Sequence, residues 1–94
     1  MRVRYTPEAF SDREQIIEYP GERSTAGARN VAASIRKTAA QLKDYPKSRY
    51  RTDDPDVRVI FVARYPYKIF YRMRDEVEIL HIRHTSRRIW TRDT

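Results

Sequence analysis

The chain has 94 residues, enough for one domain with a modest core. It contains no cysteine, which excludes a disulfide framework and a thiolate metal site and fits a reducing compartment. The formal net charge is +7 and unevenly spread: residues 1–56 carry eleven Lys/Arg against nine Asp/Glu, and residues 57–94 carry nine against four. Such a bias favours a polyanion or an acidic protein as partner, with a merely solubilising role for the charge as the plain alternative.

Val3-Arg4-Tyr5 reads as a short first strand. Thr6-Pro7-Glu8 is a helix start, with Thr6 as N-cap, proline at the first helical position and an acid at the positive helix end. The helix is expected to reach about Tyr19, with Phe10, Ile16 and Ile17 on its apolar side and Arg13 interrupting that side. Pro20-Gly21 then breaks it. Ser24 or Thr25 can cap a second helix from Ala26 to about Asp44, in which Val31, Ile35, Thr38/Ala39, Leu42 and Tyr45 recur at helical spacing. A short connection makes the two helices an antiparallel hairpin.

Lys47–Asp56 reads as a polar loop. Val57–Ala63 is rich in β-formers with apolar residues on both faces, as in a central strand. Tyr67–Met73 and a segment from Glu76 or Val77 to His84 follow, joined by a turn at Asp75-Glu76, and strands so closely spaced pair as antiparallel hairpins. Thr85 or Ser86 can cap a brief helix at Arg87–Trp90. The order is β-α-α-β-β-β, an α+β fold in which a helical hairpin covers one face of a small twisted antiparallel sheet. We expect a single domain over residues 1–94. No apolar run approaches a membrane span and the charged start lacks the apolar stretch of a signal peptide, so the expected location is cytoplasmic, without membrane attachment.

The segment Arg64–Arg88 carries most of the functional signal. Lys68 and Arg72 flank Phe70 on one strand face, while Tyr67, Ile69, Tyr71 and Met73 share the other. The aromatic residues could stack on bases, although alternating aromatics more often pack within a sheet. His81 and His84 are three apart, so a regular strand sends them to opposite faces. With no cysteine and no histidine cluster, neither a metal nor a cofactor is expected. The two glycines, Gly21 and Gly27, form no phosphate-binding loop.

Several of these segments resemble the RelE/ParE superfamily of bacterial toxins, in particular its ParE-like branch. They are Val3–Ala9 at the strand-to-helix entry, Leu42-Lys43-Asp44-Tyr45-Pro46 at the second helix exit, and Arg64–Arg72 followed by Val77–His84. The likeness spans nearly the whole chain. Two departures are Pro20-Gly21 and Arg13, where the family has apolar residues, and both point to a shorter or more loosely packed first helix.

The resemblance implies the toxin of a type II toxin–antitoxin pair, often labelled plasmid stabilisation. Such a toxin is neutralised in a hetero-oligomer by a cognate antitoxin, here expected to be of ribbon-helix-helix type. In the ParE branch the target is DNA gyrase, inhibited by binding. In the RelE branch the ribosome is entered and mRNA is cleaved. On the first reading no residue is catalytic, and Arg64, Lys68, Arg72, His84, Arg87 and Arg88 are the candidate target contacts. On the second, a metal-independent endoribonuclease would use Lys68, His84 and Arg87. That pattern is incomplete, because the preceding strand offers only Arg58 and the tail has Trp90 where a tyrosine belongs. By resemblance, the antitoxin segment lies in a groove beside the helices, with Val31, Ile35, Leu42 and Phe70 as candidate contacts.

Overall fold

The computed structural model describes residues 2–18, 25–46 and 50–85. The elements are β1 (Val3–Tyr5), α1 (Pro7–Ile17), α2 (Thr25–Gln41), β2 (Tyr50–Arg51), β3 (Arg58–Phe61), β4 (Tyr67–Met73) and β5 (Val77–His84). They build one sheet in the order β1-β5-β4-β3-β2.

The β-α-α-β-β-β layout stands, with two differences. The sheet is mixed, because β1 lies parallel to β5, with Val3 opposite Val77 and Tyr5 opposite Ile79. Close spacing forces antiparallel pairing only on neighbours in sequence, and β1 reaches β5 after almost the whole chain has intervened. The expected loop also contains β2, two residues that pair antiparallel with β3. Thr52 organises its return: its hydroxyl donates to the Val57 carbonyl at 2.9 Å and accepts from the Asp54 N–H at 3.1 Å.

α1 starts where the sequence indicates. Thr6 is extended at φ −69°, ψ 162°, and its hydroxyl accepts from the Ala9 N–H at 3.2 Å. The same hydroxyl donates to the Ile79 carbonyl at 2.8 Å, so the helix cap also fastens α1 to β5. The helix ends at Ile17, earlier than Tyr19. Pro20-Gly21 and Ser24 lie outside the described residues. Ala9 is the fully buried residue of α1, whereas Phe10 is 49% exposed. Arg13, set where an apolar turn would be expected, lays its guanidinium 4.9 Å from the Tyr5 ring centroid and 5.1 Å from that of Phe10. Its stem and planar head thus cover apolar surface that an aliphatic residue would otherwise cover.

α2 ends at Gln41, and the chain continues to Asp44 in a tighter turn, each N–H reaching back three residues. Val31, Ile35, Ala39 and Leu42 face the sheet and pack on Ile60, Ile69, Tyr71, Val77, Ile79 and Ile82. This is the core. The Tyr71 hydroxyl crosses it to donate to the Pro46 carbonyl at 2.8 Å. β4 supplies five consecutive buried residues, Tyr67–Tyr71, because β3 and β5 flank it, the helices cover one face, and Val57, Val59 and Leu80 pack around Phe70 on the other. No helix among the described residues is long and apolar enough to cross a membrane.

Candidate functional site

The helices cover one face of the sheet. On the opposite face, strand register arranges the side chains in rows. Arg4, Glu78 and Arg72 are paired across β1, β5 and β4. His81, Phe70, Val59 and Tyr50 form the next row, and Arg83, Lys68 and Phe61 the third. A bulge in β5 between the partners of Phe70 and Tyr71 lets Leu80 join Val57, Val59 and Phe70 in a small second apolar cluster on this face.

The first row is an ion ladder. Arg72 Nε donates to Glu78 Oε1 at 2.6 Å, Arg4 Nε donates to Glu76 Oε1 at 2.6 Å, and Arg4 also bonds the second oxygen of Glu78. Hydrogen bonding from Arg72 is the main reason the Glu78 carboxyl is held below the usual glutamate range, and Arg4 adds to it. Arg72, a candidate target contact, is thereby committed to Glu78. The sequence carried a signal for this pair: in a hairpin centred on Asp75, positions 72 and 78 are opposite.

Lys68 is only 9% exposed, its Nζ lies 5.5 Å from the Phe70 ring centroid, and Arg83 is directly across the strand. Burial, and then the Arg83 charge, lower its pKa. His84 pairs with Tyr67, on the helix side of the sheet, and their rings meet edge to face at 5.7 Å. Lys68 and His84 are therefore on opposite faces, which is not how an acid and a base serving one phosphate would be placed. His81 is on the face of Lys68. Its Nδ1 is 3.1 Å from Asp12 of α1, and the same carboxylate oxygen accepts from the Ile82 N–H at 3.1 Å. Asp12 thus orients an imidazole and caps the β5 edge just past the end of β1. No local sequence signal links positions 12 and 81.

Arg64 is exposed at the β3–β4 turn, where it borders a groove along α2. Arg87 and Arg88 lie outside the described residues. The proposed antitoxin contacts are corrected by burial: Val31, Ile35 and Leu42 are at most 1% exposed and Phe70 is 2% exposed, so they hold the fold together and offer a partner no surface. Helical spacing identified them as an apolar stripe, but the sheet already occupies that stripe. Sequence reasoning also missed Tyr50 and Phe61, which are 66% and 51% exposed and meet edge to face at 5.8 Å beside Lys68.

A family model described as the ParE toxin of type II toxin-antitoxin system, parDE, matches residues 3–89. The chain belongs to the ParE toxin family. A chain of the "Chromosomal ParDE TA system from P. aeruginosa" has the same fold, with a TM-score of 0.80 and 23% identity over 89% of this chain and 95% of that one. The comparison with curated proteins gave no match. Against the ParE frame, the open face combines a neutralised ion ladder, an exposed aromatic pair and two adjacent cations. That combination suits contact with a macromolecular surface. Among the described residues, no group of three or more His, Asp or Glu side chains is placed to hold a metal ion.

Proposed function

We propose that this ParE-family toxin arrests growth by binding and poisoning DNA gyrase, and that a cognate antitoxin neutralises it in a hetero-oligomer. The observation that carries this reading is the separation of Lys68 and His84 onto opposite sheet faces. It leaves the open face better suited to docking than to acid–base chemistry. Tyr50 and Phe61 supply apolar anchor area, and the Lys68–Arg83 pair supplies positive potential to steer an acidic surface. We infer that Arg64, Arg87 and Arg88 are further target contacts, and that the toxin acts in the cytoplasm, where its target is. The antitoxin is of ribbon-helix-helix type with an acidic tail.

One observation favours the second reading, a ribosome-dependent endoribonuclease. Lys68, Arg83 and the Asp12-oriented His81 share a face, so an RNase would use His81 in place of His84. Induction in a bacterial host without antitoxin separates the two. Gyrase poisoning predicts DNA-damage signalling and filamentation with intact transcripts. Rapid translation arrest with cleaved, ribosome-bound message would overturn it in favour of the RNase.

A further inference from the structure

We propose that the groove between α2 and the β3–β4 turn binds the sugar–phosphate backbone of a nucleic acid, with Arg64 and Lys37 as its phosphate-contacting cations. The site is on the helix side of the sheet, opposite the face that carries the ion ladder, and goes beyond the gyrase reading. It does not depend on that reading.

The groove encloses about 600 Å³. Asn30, Ser34, Lys37 and Gln41 line it along α2, and their spacing places them on successive turns of one helix stripe. Arg64 and Tyr65 line it from the turn. The two walls are clamped together, because the Ser34 hydroxyl donates to the Ala63 carbonyl at 2.9 Å.

Three observations point to an anion. Arg64 has φ 71°, in the left-handed region where glycine or asparagine is accommodated at lower cost. Arg64 leads into a tight turn: Tyr65 precedes Pro66, which disfavours helical geometry at Tyr65, and the Tyr67 N–H closes back on the Tyr65 carbonyl at 2.8 Å. A non-glycine residue held in this region marks Arg64 as a candidate functional position. Second, no carboxylate lines the groove, whereas the cavity over the open face carries Glu8, Asp54 and Asp56 and the one along β5 carries Asp12. Third, neither the Arg64 nor the Lys37 side chain has an ion-pair or hydrogen-bond partner among the described residues, in contrast to Arg4 and Arg72 on the ladder.

The lining also selects the kind of anion. A peptide partner draws affinity from apolar anchors buried in pockets, and apart from Tyr65 this lining has nothing apolar larger than alanine. Phosphodiesters need charge and hydrogen-bond donors, which Arg64, Lys37, Asn30 and Gln41 supply, and the Tyr65 ring can stack on a base.

The test is fluorescence anisotropy of the full chain with labelled DNA and RNA oligonucleotides, titrated over salt concentration, with polyglutamate as competitor. Arg64→Gly and Lys37→Ala are each expected to weaken oligonucleotide binding about five- to tenfold and to lower the salt slope by about one. Arg64→Gly should keep or raise the melting temperature, because it relieves the left-handed backbone. Arg36→Ala, also on α2 but outside the groove, is the control for general charge loss and should change binding by less than about twofold. Equal losses in all three variants, unchanged binding in a folded Arg64→Gly or Lys37→Ala, or polyglutamate competing as well as the oligonucleotides would each overturn the assignment. The DNA and RNA arms establish which backbone is preferred.

Discussion

At the scale of single residues, charge on the open face is largely spent within the protein. Glu78 accepts from Arg72 and Arg4, and its folded pKa is depressed below the ordinary value of 4.5. A depressed carboxyl stabilises the fold above its unfolded pKa, and that contribution is lost as pH falls through the folded pKa. Glu78→Gln should therefore lower stability at neutral pH and flatten the acid limb of the stability curve below about pH 5, measured by urea unfolding at a series of pH values. An unchanged acid limb would mean that the ladder does not contribute. Tyr71 makes a simpler case. Removing its hydroxyl, which bonds the Pro46 carbonyl, should cost about 1 kcal/mol in the Tyr71→Phe variant by the same measurement. Lys68 bears on mechanism: Lys68→Met deletes a largely buried cation beside Arg83, and if the toxin acts by docking it should weaken growth arrest only partially, because Tyr50 and Phe61 still anchor the contact. Complete loss of toxicity in a folded Lys68→Met protein that still binds its target would favour catalysis.

At the scale of elements, the problem is the edge of β5. β1 protects only the stretch from Val77 to Ile79, and an unpaired edge beyond it would invite association with other strands. α1 takes over where β1 ends. Thr6 binds the Ile79 carbonyl, and Asp12 accepts from the Ile82 N–H. Asp12→Ala should leave the helix in place but speed hydrogen exchange at the Ile82 amide by about tenfold, read by NMR, because one hydrogen bond closing that amide is lost. The start of α1 could be read from Thr6-Pro7 and the limits of β4 and β5 from Tyr65-Pro66, Asp75-Glu76 and alternation, whereas α1 ends before Tyr19 and β3 is shorter than Val57–Ala63. β2 and the parallel partnership of β1 were not legible, because both depend on register between distant segments. The same limit applies to the site. The Arg72–Glu78 pair follows from hairpin symmetry and was within reach, whereas Asp12–His81 and the exposed Tyr50–Phe61 pair exist only once the sheet is assembled. A helical apolar stripe marks what is buried, and this is why Val31, Ile35 and Leu42 proved to be core rather than contact surface.

At the scale of the whole molecule, a small sheet is closed on one side by helices and left open on the other, and Lys68 and His84 are divided between the two faces. Lys68, His81 and Arg83 face outward, while His84 is turned to Tyr67 on the helix side. This arrangement favours a toxin that works by occupying a surface on its target. The most direct measurement is a gyrase assay with the purified chain, scoring supercoiling and cleaved-DNA complexes beside a ribosome-bound message control. The account predicts inhibited supercoiling with accumulated cleaved DNA and an intact message. Unaffected gyrase together with a cleaved message would contradict it.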